Sequence, residues 1–459
     1  MLAALLVTTT DAADRPNIVF VSADDLGARD LAVDGNRHHA TPHLNRFAAE
    51  GVRFTQAYAA APICSASRAA VLTGRSPPRL GFEFVTKDAP GQQDIPGVKL
   101  RTPPYTLSLP PGQRTVADAL SEAGYRTAFF GKWHLAPHHG RYLGWSPTDN
   151  PLARGFAVAE EDFGGHPYNT QAFDPVPDGE FPPDSLTDRA IDFLRRDHGR
   201  PFFLMVSHFY VHTPVKPRAE WLVARHRAAG LPERRAKYAA FVETLDHHAG
   251  RLLTALDAAG LREDTLVVFT SDNGGDPRFA RHAPLRGHKW TLYEGGVRVP
   301  LIVRWPGVVE AGGTREEPVI GTDLPATFVD AAGADFETPD GRSLKSLLRD
   351  SDAARPPRAL LWHFPYYHPE TKAGPETEVV GVDDGRPPFV GPHAAVRVGE
   401  TKAVHFFEEG RTEVYDLAAD PSESNDLAAG DADLAAEWRG RVMGELNAVG
   451  ARLPGEPPP

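Results

Sequence analysis

The sequence predicts an α/β protein in which a large, mostly parallel sheet is flanked by helices, followed by a smaller antiparallel domain. Short, wholly apolar runs of β-forming residues alternate with helical patterns along most of the chain. Polar residues stand directly after several of these runs. From about residue 355 the pattern changes to short strands separated by tight turns. Strands that alternate with helices indicate a parallel sheet, whereas strands joined by short turns indicate an antiparallel one.

Four apolar runs are the predicted strands of the large sheet. Each is continuously apolar, which is typical of a strand buried on both faces. They span residues 18–21, 126–130, 202–206 and 266–269. The helical patterns that alternate with them span residues 114–123, 185–196 and 238–259. Because ligands of such sheets bind beyond the carboxyl ends of the strands, we expect the polar residues after the four runs to share one site.

The C-terminal part of the chain predicts a separate small domain. Three short strands at 394–398, 402–407 and 412–416 are separated by Gly-Glu and Glu-Gly turns, and a helix follows at 432–449. We therefore divide the chain into a catalytic domain, residues 15–350, and a C-terminal antiparallel subdomain, residues 351–459.

The first residues of the chain resemble part of a secretory signal. Residues 1–14 hold a short apolar run followed by small residues, which is typical of the end of a secretory signal. This pattern predicts a periplasmic or secreted protein, and a disordered tail is the alternative. No apolar stretch is long enough to span a membrane.

Charge and cysteine content limit the possible functions. The net charge of −12 argues against a nucleic-acid-binding protein. It also requires that an anionic substrate be attracted by a local cluster of cations. Cys64 is the only cysteine, so it can form neither an internal disulfide nor a cysteine-rich metal site.

The run CSASRAAVLTG at residues 64–74 is the most informative segment. Its small residues and final glycine predict a short helix capped by Cys64, with free N–H groups directed at the sulfur. Arg68 lies one turn later and places a guanidinium where an anionic group would arrive. Phosphatases that attack through a cysteine carry arginine six positions after it, where this chain has Ala70. Taken alone, Cys64 could equally be a small buried hydrophobic residue.

Acidic residues follow two of the predicted strands. Asp24 and Asp25 come after the run 18–21, and Asp272 and Asn273 come after 266–269. Three carboxylates and one amide oxygen are hard ligands, which favour Ca²⁺, with Mg²⁺ possible, over zinc. A single Asp-Asp pair is more often a helix cap or a solvated turn, but two such sites at equivalent strand ends favour a metal site.

Four motifs carry a resemblance to a known family. The run at Cys64 resembles the sulfatase signature Cys-x-Pro/Ala-Ser-Arg followed by Leu-Thr-Gly, with alanine at the variable third position. The runs GKWHL at 131–135, VHTP at 211–214 and LRGHK at 285–289 resemble further boxes of that family. The chain is therefore similar to the type I sulfatases of the alkaline phosphatase superfamily, which include arylsulfatases and bacterial glycan sulfatases.

The resemblance implies an alkaline-phosphatase-like fold and hydrolysis of the sulfate ester of a carbohydrate or an aryl alcohol. It implies that a separate maturation enzyme oxidises Cys64 to formylglycine. One hydroxyl of the hydrated aldehyde would then attack sulfur and expel the alcohol. The second hydroxyl would lose its proton, so that the aldehyde forms again and sulfate is released. A serine has no second hydroxyl and would remain sulfated.

The resemblance also assigns roles to individual residues. The metal ligands would be Asp24, Asp25, Asp272, Asn273 and the formylglycine from Cys64. Lys132 and Lys289 would hold sulfate oxygens, and His212 would assist the leaving group. Arg68 and His134 would position the nucleophile.

Three questions remain open from the sequence. A phosphodiesterase or phosphonate monoester hydrolase of the same superfamily is the nearest alternative function. A non-catalytic glycan-binding protein would result if Cys64 were never matured. The aromatic run 362–368, with Tyr105 and His208, would either line a sugar subsite or pack in the core.

Overall fold

A computed structural model describes residues 15–169, 174–196, 198–350, 353, 355–370 and 389–455. The predicted signal segment, residues 1–14, lies outside the described residues. Among the described residues, no helix is both long enough and apolar enough to cross a membrane.

An eight-stranded sheet forms the centre of the larger part of the molecule. Its strands are β1 (Asn17–Ala23), β2 (Val52–Phe54), β4 (Arg126–Gly131), β5 (Val158–Glu160), β6 (Phe202–Ser207), β7 (Thr265–Ser271), β8 (Leu301–Arg304) and β9 (Gly313–Arg315). A separate parallel pair consists of β3 (Ala57–Tyr58) and β10 (Val319–Ile320).

The strand order of the large sheet is β5-β4-β6-β1-β7-β8-β2-β9. Of these eight strands, β8 alone runs opposite to the others. The four strands predicted from the sequence are confirmed as the neighbours β4, β6, β1 and β7, which are mutually parallel. Their carboxyl ends therefore meet at one edge of the sheet.

Helices cover both faces of this sheet. In chain order the helices before the C-terminal part are α1 (Pro42–Ala49), α2 (Cys64–Thr73), α3 (Pro77–Leu80), α4 (Val116–Glu122), α5 (Ser185–Leu194), α6 (Glu220–Ala228), α7 (Glu233–Ala258), α8 (Glu294–Val297), α9 (Asp323–Ala332) and α10 (Lys345–Arg349). Two 3₁₀ helices span Ala32–Asp34 and Pro151–Arg154.

The packing on the two faces explains why the strands are continuously apolar. In β1, Ile18 and Phe20 pack in the cluster that contains residues of α2, α4 and α9. Val19 and Val21 alternate with them and pack against α1, α5 and α7 on the other face. A strand buried on both sides has no solvent-facing position, and its sequence shows no polar alternation.

A four-stranded antiparallel sheet and one helix form the C-terminal part. They are β11 (Ala359–Phe364), β12 (His393–Val398), β13 (Thr401–Phe406), β14 (Arg411–Asp416) and α11 (Ala432–Ala448). The sequence predicted three of these strands and the helix but not β11. One face of the sheet packs on α11 through Trp438, Val442 and Leu446.

The opposite face of the antiparallel sheet packs against the larger part of the molecule. Trp362 and Phe364 of β11, together with Tyr366, are fully buried in a cluster with Ile63 and Tyr293. This part of the aromatic run 362–368 is therefore core packing and does not line an open sugar subsite. The boundary predicted between residues 350 and 351 stays a prediction.

Candidate active site

The predicted site residues lie where the central strands end. β1 leads into Asp24 and Asp25, β7 into Asp272 and Asn273, and β4 into residue 132. β1 and β7 are neighbours and β4 is separated from β1 only by β6, so the carboxyl ends of these parallel strands bring the polar groups together.

Helix α2 delivers Cys64 to this edge. The residue before it, Ile63, is the extended N-cap residue, so Cys64 is the first residue of the helix and the prediction of Cys64 as the cap is wrong by one position. The helix ends at Gly74, whose φ of 65° is the left-handed conformation that glycine adopts easily. Cys64 is buried, and its Sγ lies 3.4 Å from His134 Nδ1. Burial raises the pKa of the Cys64 thiol, so the unmodified side chain is not a thiolate.

Arg68 connects three parts of the site. Its Nε donates to Asp272 Oδ2 at 2.8 Å, and its Nη1 donates to the backbone carbonyl of Lys132 at 2.8 Å. Nη1 also donates to the hydroxyl of Ser207 at the end of β6. The guanidinium is 3% exposed, so these fixed contacts hold α2, β4, β6 and β7 in register at the site.

The acidic residues leave oxygen atoms available for a cation. Ligand atoms of Asp24, Cys64 and Asp272 all lie within 4.8 Å of one another. Asp24 Oδ1 and Asn273 Oδ1 are buried and have no hydrogen-bond partner. Asn273 Nδ2 donates to Asp25 Oδ1 at 2.7 Å, which fixes its amide with the oxygen unused. Buried oxygens without partners are costly unless a cation or donor satisfies them, so the donor set fits a hard divalent ion.

Two buried lysines form ion pairs with these carboxylates. Lys132 Nζ lies 2.6 Å from Asp24 Oδ2, and Lys289 Nζ lies 2.7 Å from Asp25 Oδ1. Burial lowers the pKa of each lysine, but the paired carboxylates outweigh it, so both pKa values lie above the usual lysine value. Both lysines are therefore cationic inside the site.

The carboxylates respond in opposite directions. Burial raises the pKa of Asp25, yet the charges of Lys289 and Lys132 and the hydrogen bond from Lys289 lower it below its usual range overall. Burial and the neighbouring Asp24 charge raise the pKa of Asp272 to about 6. Burial beside Asp24 thus makes the ionised form of Asp272 costly, and a cation bound between the two carboxylates would stabilise that form.

Two histidines border the site as neutral imidazoles. Burial, together with Lys289, lowers the pKa of His212 to about 3. Its Nδ1 lies 2.6 Å from the carbonyl of Thr213 and 2.9 Å from the hydroxyl of Tyr168. A carbonyl only accepts, so Nδ1 carries the proton and Nε2, 3.7 Å from Asp25 Oδ2, presents its lone pair. Burial and Lys132 lower the pKa of His134 well below its usual value.

The structure links the residues that the sequence singled out through direct contacts. The contacts join Cys64 to His134, Arg68 to Asp272, Lys132 to Asp24, Lys289 to Asp25, Asn273 to Asp25, and His212 to Asp25. Sequence reasoning missed Ser207 and Tyr168. Ser207 ends a predicted strand and follows the same strand-end pattern as the acids. Tyr168 carries no comparable signal.

Comparison with known families identifies the class of protein. Residues 16–334 match the profile of the family described as Sulfatase. Residues 287–439 match the profile described as N-sulphoglucosamine sulphohydrolase, C-terminal. The chain belongs to the sulfatase family, and it is an enzyme that hydrolyses sulfate esters.

Individual relatives agree with this assignment. The chain is 36% identical to steryl-sulfatase of Mus musculus over 440 residues, which cover 76% of this chain and 67% of the relative. It is 33% identical to arylsulfatase A of Homo sapiens over 476 residues, which cover 90% of this chain and 84% of the relative. Both similarities extend over most of the chain.

Solved structures confirm the alkaline-phosphatase-like fold. Ps i-CgsB in complex with k-i-k-neocarrahexaose is 25% identical, with a TM-score of 0.74 and coverage of 94% of this chain and 93% of that chain. The phosphonate monoester hydrolase of Agrobacterium radiobacter shares the fold at 23% identity, with a TM-score of 0.63 and coverage of 95% and 96%.

Proposed function

We propose that this protein is a formylglycine-dependent, calcium-binding sulfatase that removes sulfate from a sulfated carbohydrate. The observation that supports it is the position of Cys64, which lies among buried carboxylates and beside two buried lysine charges. A thiol held neutral by burial is a poor nucleophile in its own right. The position of Cys64 is therefore better explained if the residue is converted to formylglycine than if its thiol is the nucleophile.

The cation would be held by Asp24, Asp25, Asp272, Asn273 and the oxygen that replaces the sulfur of residue 64. The all-oxygen donor set favours Ca²⁺, with Mg²⁺ as the alternative. When bound, the ion supplies Lewis acidity toward the sulfate group and its attacking oxygen. The buried, unpartnered Asp24 Oδ1 and Asn273 Oδ1 are the atoms that such an ion would satisfy.

Formylglycine at position 64 supplies a hydroxyl nucleophile and a second hydroxyl that allows sulfate to leave without attack of water on sulfur. His134 lies within reach of this side chain, since its Nδ1 is 3.4 Å from Sγ in the unmodified residue. Arg68 holds the start of α2 against Asp272 and the backbone of Lys132. These two residues keep the nucleophile in position.

The cations and His212 act on the ester itself. Lys132 and Lys289 hold fixed positive charge in a buried site, which stabilises charge on sulfate oxygens as the bond to sulfur breaks. His212 turns Nε2 toward the same acids, because Nδ1 is held by Thr213. When the negatively charged ester arrives, it favours protonation of Nε2 by a proton from solvent, and His212 then donates that proton to the leaving alcohol.

The substrate class is proposed from the relatives. N-acetylgalactosamine-6-sulfatase of Mus musculus is 32% identical over 383 residues, which cover 76% of this chain and 68% of the relative. Ps i-CgsB was solved with a neocarrahexaose bound. These names favour a sulfated saccharide, with simple aryl sulfates as artificial substrates. Maturation by a formylglycine-generating enzyme and a periplasmic or secreted location complete the proposal.

Matched nitrophenyl esters test this function. Wild-type protein, produced with the maturation enzyme, is assayed on nitrophenyl sulfate, nitrophenyl phosphate and a phenylphosphonate monoester, with Cys64→Ala as the control. We expect the sulfate to be turned over fastest and the control to be inactive. A preference for phosphate or phosphonate would favour the hydrolase alternative. Inactive protein whose Cys64 stays unmodified in the presence of the maturation enzyme would favour a glycan-binding protein. A panel of defined sulfated saccharides then identifies the sugar.

A further inference from the structure

A basic pocket lies outside the metal site, at the same end of the sheet. It has a volume of about 490 Å³. Its walls come from the loop that follows β1, the turn between α6 and α7, and the loop that follows β7. The first and third of these loops begin with the proposed metal ligands.

The charge of this pocket is opposite to that of the whole chain. The side chains that give it positive or titratable character are Arg29, Arg37, His38, His39, Arg235 and Arg281. No carboxylate of the described residues lines it, although the chain carries a net charge of −12. Four arginines within one cavity create a local positive potential that attracts anions.

Nearby carboxylates are already engaged elsewhere. Asp34 forms an ion pair with Arg53 at 2.7 Å. Asp30 is fully buried and accepts from the hydroxyl of Tyr238 at 2.6 Å and from the backbone N–H of Gly27 at 2.8 Å. These acids therefore do not fill the pocket with negative charge.

The walls of the pocket are held in place. Arg235 Nη1 donates to the carbonyls of Phe279 and Ala280, which fixes its guanidinium against the loop after β7. His39 Nδ1 donates to the carbonyl of Asp30 at 2.8 Å. Arg37 and Arg281 line the same pocket and are exposed. A cavity with one fixed arginine in its wall and exposed arginines beside it suits a sulfate group, which arginine binds with paired N–H donors.

Buried hydrogen bonds behind the pocket connect the loop after β1 to helix α7. The Tyr238 hydroxyl that binds Asp30 lies 3.5 Å from the carbonyl of Asp25. A buried tyrosine therefore holds the loop that forms the first wall of the pocket against the segment that carries Asp25.

We propose that this basic pocket binds a second sulfate group, outside the catalytic centre, on a multiply sulfated saccharide. The inference deepens the proposed function and rests on its saccharide substrate. A free sulfate ion has the same chemistry, and the experiment separates the two sources.

The test compares two double variants with equal loss of charge, each in full-length Cys64→Ala protein so that no ligand is consumed. Arg37→Ala with Arg281→Ala removes two exposed arginines of the pocket. Arg439→Ala with Arg441→Ala removes two exposed arginines of α11 and is the control. Calorimetry measures the binding of a fully sulfated heparin hexasaccharide and of sodium sulfate. The ionic strength is fixed at 0.15 M, so that salt screens the charges equally in every titration.

We expect the pocket variant to bind the hexasaccharide roughly tenfold more weakly, as the loss of charged hydrogen bonds predicts, with little change in the control. If the pocket variant loses affinity for the hexasaccharide but keeps its affinity for sodium sulfate, the pocket binds a sulfate group of the saccharide chain. A parallel loss of sodium sulfate affinity in the pocket variant alone would assign it to free sulfate. Equal affinities in the two double variants would overturn the proposal.

Kinetics separate this inference from the proposed function. In matured enzyme the pocket variant should keep its kcat/KM on nitrophenyl sulfate, while its KM for the hexasaccharide, if cleaved, rises. Failure of wild-type enzyme to cleave any sulfate ester would refute the proposed function and leave the calorimetric result standing. A loss of nitrophenyl sulfate turnover in the pocket variant would show instead that the change disturbs the catalytic centre.

Discussion

Lys402 of the C-terminal sheet forms a fully buried ion pair with Glu294, its Nζ lying 2.9 Å from Oε1. Glu294 begins α8, five positions after Lys289 on the same loop. The third residue of α8, Gly296, accepts a hydrogen bond from the N–H of Gly274 at 2.9 Å. The antiparallel sheet therefore supports both the loop that carries Lys289 and the strand end that carries Asn273.

Breaking this pair should destabilise the protein strongly. In Lys402→Met, Glu294 and Glu423 remain buried without their shared cation, so we expect a loss of about 3–5 kcal/mol in unfolding free energy. Arg441→Ala breaks the exposed pair with Glu437 on α11 and should cost less than ~1 kcal/mol. Urea and thermal unfolding of both variants measure the difference. Equal unfolding free energies of the two variants would show that the buried ion pair contributes no more to stability than the exposed pair does.

The same cluster predicts a dependence of stability on pH. Burial raises the pKa of Glu423 to about 7, with Lys402 opposing and Glu294 adding to the rise. This value lies above the usual 4.5, so the folded protein retains a proton that the unfolded chain releases. The contribution of Glu423 to stability is present below pH 4.5 and falls as the pH rises to about 7.

Glu423→Gln should remove this contribution. The stability advantage of wild type over the variant should shrink as the pH rises from 5 to 8, because glutamine does not titrate. Unfolding curves of both proteins across that range, in buffers of constant ionic strength, give the comparison. Parallel pH profiles would mean that Glu423 is already ionised in the folded protein at pH 5.

The strands of the large sheet could be predicted because a strand that is buried on both faces has a continuously apolar sequence. The apolar runs of β1, β4, β6 and β7 were found because both faces of each strand are covered. The sequence does not predict β11, although it is also apolar, because its partner β12 begins only at His393 and the two strands are far apart along the chain. Sequence patterns describe a segment and its near neighbours.

The residues of the candidate site could be predicted from the sequence, but the contacts between them could not. The proposed metal ligands follow strands, and the sequence motifs contain Lys132 and Lys289. The pairing of Lys132 with Asp24 and of Lys402 with Glu294 joins residues that are each 108 positions apart. Such contacts depend on the strand order, which no short run of sequence contains.

Maturation of Cys64 is directly measurable. Cys64 begins the CSASR run. In protein produced with a formylglycine-generating enzyme, mass spectrometry of the peptide that contains residue 64 should show formylglycine in place of cysteine. Protein from a host without that enzyme is the control and should retain the thiol. Full activity from protein whose residue 64 is entirely cysteine would rule out this chemistry.

Metal removal should abolish turnover. Chelation to a state that elemental analysis confirms as metal-free should eliminate activity, and Ca²⁺ or Mg²⁺ should restore it better than Zn²⁺ because the ligands are hard oxygens. Asp272→Ala should lose both the metal and the activity. Asp276→Ala, which removes the partner of Arg278 on the same loop, is the control and should retain the metal. Persistent activity in the metal-free protein would contradict the assigned site.

The two lysines proposed to hold sulfate oxygens and the histidine proposed to assist the leaving group should differ in their response to the substrate. Lys132→Ala and Lys289→Ala should each lower kcat/KM by ~100-fold or more on every ester, since each removes a fixed charge from a buried site. His212→Ala should slow cleavage of a sugar sulfate far more than that of nitrophenyl sulfate, because nitrophenolate leaves with little help from an acid.

Kinetics of the three variants on one sugar sulfate and one aryl sulfate measure this contrast. Tyr168→Phe is the matched control for His212, since it removes the hydroxyl 2.9 Å from Nδ1 while Thr213 still fixes the ring. We therefore expect Tyr168→Phe to have a small effect that is the same for both esters. If His212→Ala slowed both esters by one common factor, His212 would position the substrate and would not protonate the leaving group.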